Sequence, residues 1–386
     1  MAVLCRNCSG KLIFEPSLQK LQCVSCGSIF DPEDVSDENA ERHSKYYDAN
    51  VYVCSHCGAE VIITGSEAST FCAYCGNPAI VFNRVSKELK PDGLIPFKIT
   101  KEQALGLIRS KIKENRYIPD EIKALGPDHL KGIYIPYWVV TADFKDSLFI
   151  RGRVKNRGRK GSHDEYFAKV CECRFNSVPV DGSRMLSDAF SMKLEPFDFT
   201  DAKVFDEDYL SGFYSNVSDL SYQELRSSAA DRCHKLLSEE VLKHINAHSP
   251  QVEDHIAWID IEDGSPYLLI PVWFFTFIYE GKPYTILING QTGKVVGTFP
   301  WIMSKFIRTM VLITVPLLVA AVFFFAGFFN RDLLAVSHVF QLLFTALVCI
   351  GPAMLTRGLV GLRKIRTSLD LSRSESAFKF VNRRKG

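Results

Sequence analysis

Eight of the twelve cysteines in this 386-residue chain fall in four Cys-x-x-Cys pairs: Cys5 with Cys8, Cys23 with Cys26, Cys54 with Cys57, and Cys72 with Cys75. A pair at that spacing points two sulfurs of one tight turn at a single ion. Two such turns supply a tetrahedral all-thiolate site with Zn–S distances of about 2.3 Å. Fourteen residues separate the pairs within each set, and the second set is the first displaced by 49 positions, so all four ligand positions repeat in register. With four thiolates per ion, each set reads as a closed structural site, two Zn2+ in all, with an iron–sulfur or redox centre as the minor alternative. His56, inside a knuckle, reads as an exposed residue rather than a ligand.

Short strands must hold these knuckles. Lys11 to Phe14 and Val61 to Thr64 read as strands, Leu21 and Phe71 lead into the second knuckle of each set, and Gly27, Gly58 and Gly76 suit the tight turns. The result is two zinc ribbons, residues 1–30 and 51–83, each too small to bury a core and so dependent on metal for folding. The linker 31–50 is acidic, with Asp31, Glu33, Asp34, Asp37, Glu38, Glu41 and Asp48 against Arg42 and Lys45. It would repel a phosphate backbone, and a net charge of +2 gives no global field toward nucleic acid.

Residues 94–300 read as an α+β body of two helix-plus-sheet units. Thr100 with Gln103 forms a capping box ahead of Ala104, Leu105, Ile108 and Ile112 on one helix face, and Tyr134-Ile-Pro-Tyr-Trp138 opens a strand. Ser221 with Glu224 caps a longer helix bearing Leu225, Ala229, Cys233, Leu236, Leu237, Val241 and Ile245, and Leu269-Ile-Pro-Val-Trp273 opens the next strand. Tyr279 to Tyr284 reads as a hairpin turn. The turn Asn289 to Lys294 lacks the spacing and following Ser or Thr of a phosphate loop. With no Walker loop, nucleophile or acid–base constellation, the chain reads as non-enzymatic and without a small-molecule substrate. Arg151, Arg153, Lys155, Arg157, Arg159 and Lys160 form one patch for an anionic partner, to be weighed against a solvated edge hairpin. Cys171 and Cys173 share a strand face and read as core or edge thiols.

Two apolar runs close the chain. Thr309 to Phe329 carries no charge and Leu333 to Leu355 only mild polar residues, so 309–356 reads as a transmembrane helical hairpin. Lys305 and Arg308 before it, and Arg357, Arg363, Lys364 and Arg366 after it, predict a two-pass protein of the inner (cytoplasmic) membrane with both termini cytosolic. The basic tail 357–386 would then meet anionic lipid.

The segments Tyr52-Val-Cys-Ser-His-Cys-Gly-Ala-Glu60, Leu94 to Phe97, Gly132 to Trp138, Leu194-Glu-Pro-Phe-Asp198, Tyr209-Leu-Ser-Gly-Phe213 and Asn289 to Lys294, followed by the apolar runs, resemble bacterial membrane proteins with zinc ribbons of the transcription-factor-IIB type. Members of that family often carry a label borrowed from a primosomal helicase. The resemblance implies a scaffolding role. The chain is thus expected to be a membrane-anchored zinc adaptor that recruits a cytosolic or membrane protein, in membrane stress or membrane organisation. The alternative is a membrane-tethered nucleic-acid-binding protein without helicase activity.

Overall fold

The structure, a computed structural model, describes residues 4–32, 46–63, 72–76, 80–155, 161–183, 186–216, 218, 220–329 and 372. Three short strands come first: β1 (Leu12–Glu15), β2 (Lys20–Cys23) and β3 (Ile29–Phe30). They pair antiparallel in a small sheet of their own, Leu12 opposite Cys23 and Leu21 opposite Phe30. The second ribbon is built otherwise. Its strands β4 (Tyr46–Cys54), β5 (Glu60–Ile63) and β6 (Ile80–Leu89) join the twelve-stranded sheet that forms the body.

That body is organised on β8 (Leu130–Lys155). Gly132 to Tyr137 is buried without interruption, whereas Ala142 to Ile150 alternates buried and exposed, so the strand passes from a two-sided interior to a half-covered face. β12 (His248–Ile261) and then β13 (Tyr267–Tyr279) run antiparallel along one edge of β8. Along its other edge lie β11 (Tyr214–Ser215), parallel, and β9 (Ser162–Asp181), antiparallel. β11 also pairs with β5, and that bridge ties the second ribbon into the body. Beyond β13 come β7 (Gly93–Leu94) with β10 (Lys203–Val204), and β14 (Lys282–Asn289) with β15 (Val295–Val296). The β13–β14 turn places Glu280 and Gly281 at φ of 51° and 72°, the left-handed pair that a two-residue hairpin loop needs.

Five α-helices lie among the described residues: α1 (Lys101–Lys113), α2 (Asp120–Lys123), α3 (Asp188–Leu194), α4 (Tyr222–Lys243) and α5 (Met303–Phe329). Both capping boxes form as the sequence requires, Thr100 with Gln103 and Ser221 with Glu224, and α1 buries Ala104, Leu105, Ile108 and Ile112. α4 lays Leu225, Ala229 and Cys233 on the outer half of the sheet against Val140, Ala142 and Phe144, although Leu236 faces solvent. The two expected helix-plus-sheet units therefore share one sheet.

The expected fold class, with its transmembrane hairpin, and the two-pass location in the inner membrane are corrected. Among the described residues no helix is long and apolar enough to cross a membrane. The described side chains of α5 run from Met303 to Val319 and include Lys305 and Arg308. The second run, Leu333 to Leu355, and the basic tail cations lie outside the described residues.

Candidate metal centres

Each ribbon gathers four sulfurs. Cys5, Cys8, Cys23 and Cys26 form one cluster and Cys54, Cys57, Cys72 and Cys75 another, all donor atoms within 4.8 Å of one another in each. Across the knuckles of the first, Cys5 and Cys26 stand 3.6 Å apart and Cys8 and Cys23 3.5 Å apart. In the second, Cys54–Cys75 stand at 3.8 Å and Cys57–Cys72 at 3.7 Å. A tetrahedron with metal–sulfur bonds of about 2.3 Å has sulfur edges of about 3.8 Å, so both clusters fit one ion each. A disulfide would need roughly 2.05 Å, and these cysteines are free.

The knuckles are shaped by the backbone. In three of them the residue after the second cysteine is a glycine at positive φ, Gly27 (72°), Gly58 (75°) and Gly76 (72°), whose N–H donates to the carbonyl of the first cysteine. Ser9 holds the equivalent place in the Cys5–Cys8 knuckle at φ 58° and donates likewise to Cys5. A Cβ is disfavoured in that conformation, so this knuckle carries strain that the other three avoid.

The electrostatics of the second cluster are those of sulfurs that suit a shared cation. Cys54 is driven far below the usual thiol range by hydrogen bonds from Cys57, Cys72 and then Cys75, while the Cys54 sulfur pushes Cys57 and Cys72 far above it. Without a metal one thiolate would be held at the expense of its neighbours. In the first cluster the hydroxyl and then the N–H of Ser28 bring Cys26 down to about 6, which favours the ligating form.

The clusters differ in their surroundings. In the first, Cys5 and Cys23 are buried while Cys8 and Cys26 are exposed. That ribbon docks through its strands: Phe14 meets Tyr209 at 5.1 Å, the Phe14 N–H donates to Ser211, and the Gln19 amide donates to the Phe97 carbonyl at 2.7 Å. All four sulfurs of the second cluster are buried. Its Cys72–Cys75 knuckle is clamped on the β13–β14 hairpin, where Thr276 donates to the Ala73 carbonyl, Thr285 to that of Tyr74, and Tyr74 stands edge-on to Phe274 at 5.3 Å.

The other residues singled out in the sequence are placed less simply. His56 is exposed, as read. Arg151 pairs with Glu253 at 2.7 Å and Arg153 with Asp164 at 3.2 Å, so the described start of the basic patch is matched by carboxylates on the flanking strands. Lys155 is exposed, and Arg157, Arg159 and Lys160 lie outside the described residues, as does Phe71. Cys173 packs at the edge of the core that holds Cys233. Sequence reasoning passed over Asp146, His234 and His255, a third group with metal-ligating donors in reach of one another. Its one signal was a carboxylate in the apolar phase of β8.

Among known proteins, an uncharacterized protein of Bacillus subtilis (strain 168), YdjG, is 29% identical over 312 residues, which cover 77% of this chain and 89% of that protein. No protein-family model and no solved structure matches the chain.

Proposed function

We propose that this chain is a non-enzymatic zinc protein with tandem ribbons of the transcription-factor-IIB type, in which the inner ribbon is a structural part of the body and the outer ribbon recruits another protein. The observation that carries this reading is the surface beside the outer cluster. Leu4, Val24 and Ile29 stand 55%, 65% and 49% exposed next to the knuckles of Cys8 and Cys26. Three large apolar groups at the rim of a metal-braced loop suit a protein contact. A nucleic-acid contact would instead need free cations and stacking aromatics. In this ribbon Lys20 is engaged by Asp31 at 3.0 Å.

Zinc is the ion that all-sulfur, closed, buried coordination favours. Cys5, Cys8, Cys23 and Cys26 would hold one, and Cys54, Cys57, Cys72 and Cys75 the other; each ion supplies folding free energy and takes no part in chemistry. The test is affinity capture with the wild-type chain and with V24D/I29D. A partner retained by the first and lost with the second, at unchanged metal content, is the expected result. Equal capture by both, or binding of single-stranded nucleic acid that weakens steeply with salt, would overturn the reading.

A further inference from the structure

Between Ala142 and Ile150 the buried positions of β8 are Ala142, Phe144, Asp146, Leu148 and Ile150. Four are apolar and the fifth is a carboxylate with 1% of its surface exposed. Its neighbours across the sheet, on the same face, are Ala257 of β12 and Cys171 of β9. α4 covers that face, and the residue after its buried Cys233 is His234. His255 reaches the same point from β12.

The three side chains converge. His234 Nδ1 lies 2.5 Å from Asp146 Oδ2 and His255 Nδ1 lies 3.5 Å from Asp146 Oδ1. The imidazole rings stack with centroids 3.6 Å apart. A simple hydrogen-bonded triad would satisfy both carboxylate oxygens, yet Asp146 Oδ1 is buried with no hydrogen-bond partner. That is a costly arrangement in a strand interior. The 3.5 Å gap is too wide for a hydrogen bond of good geometry but close to the roughly 3.4 Å edge of a tetrahedron with metal–ligand bonds of about 2.1 Å, whereas the 2.5 Å contact of His234 Nδ1 with Oδ2 is a hydrogen bond that an ion bound through Nδ1 would open.

We propose that Asp146, His234 and His255 form a third metal site, separate from the ribbons, for a borderline divalent transition ion, Zn2+ foremost. Two imidazoles, with a thiol beside the carboxylate at Cys171, exclude the all-oxygen preference of calcium and magnesium. Three protein ligands leave one coordination position for water or an anionic ligand, and His255, 37% exposed, lies on the solvent side.

The test is a metal count. The full chain is equilibrated with excess Zn2+, freed of loose ion by gel filtration and analysed by plasma mass spectrometry. Three equivalents are expected in wild type and two in H234A/H255A. Should the double variant misfold, H255A alone, at the more exposed ligand, is expected to weaken the third equivalent by at least about tenfold. In Co2+-loaded H255A the thiolate charge-transfer bands of the ribbons should stay unchanged. Two equivalents in wild type, or a third that persists at full affinity in H255A, would overturn the proposal.

Discussion

The two ribbons share their ligand spacing to the residue and differ in almost everything around it. The outer one keeps a three-stranded sheet to itself, exposes Cys8 and Cys26, and leans on the body through Phe14 and Gln19. The inner one has given its strands to the main sheet and buries all four sulfurs under the β13–β14 hairpin. The same ligand spacing therefore sits in two different surroundings. In the proposed reading, a metal that closes an otherwise exposed module shapes a surface, and one in the core holds the fold.

Substituting ligands breaks the comparison most severely. C57S/C72S should remove the main cooperative unfolding transition, a loss above ~4 kcal/mol, because a metal and its folding energy leave the core together. C8S/C26S should shift that transition by less than about 1 kcal/mol while abolishing amide protection in β1 to β3. Calorimetry and hydrogen exchange measure the two. Next in size is T276V, which strips the hydroxyl that holds the Ala73 carbonyl. It should cost about 1–2 kcal/mol and hasten metal release from the inner cluster alone, followed by chelator competition. S9G relieves the left-handed non-glycine residue of the outer cluster. It should stabilise that ribbon by about 1 kcal/mol in local hydrogen exchange, with the inner ribbon unaffected.

The smallest effect is on pH dependence. Asp208, in the turn Glu207–Leu210 that packs on β1, is pushed up from 3.8 to about 7 by burial and then by Asp206 and Glu207. The folded chain holds that proton more tightly than the unfolded one. Its contribution is therefore complete below 3.8 and is lost as pH rises toward about 7. D208N should flatten this decline in urea titrations across the window. An unchanged slope would place the decline elsewhere.

What could be read from the sequence was local. Cysteines three apart and capping boxes three apart act within a turn, and both appear where their spacing put them. The union of the inner ribbon with the body was not legible, because it depends on Ile62 pairing with Ser215, and no pattern in either strand names the other. The ion pairs at the start of the basic patch were legible only in part, for a related reason. Asp164 neutralises Arg153 across a hairpin that the sequence did suggest, but Glu253, which engages Arg151, comes from β12 and has no local mark. His234 lies 88 residues from Asp146 along the chain and His255 further still, so only the misplaced carboxylate hinted at them. The apolar run after Lys305 invited a membrane reading on composition alone. Among the described residues no helix is long and apolar enough to cross a membrane.

The division of labour between the ribbons is tested most directly by one time course. The zinc-loaded chain is placed in excess chelator while metal release and amide exchange are followed together. One equivalent should leave early, with exchange confined to β1 to β3, and the other only as β4, β5 and β13 exchange. Release of both ions in a single phase, or of the buried one first, would contradict the account.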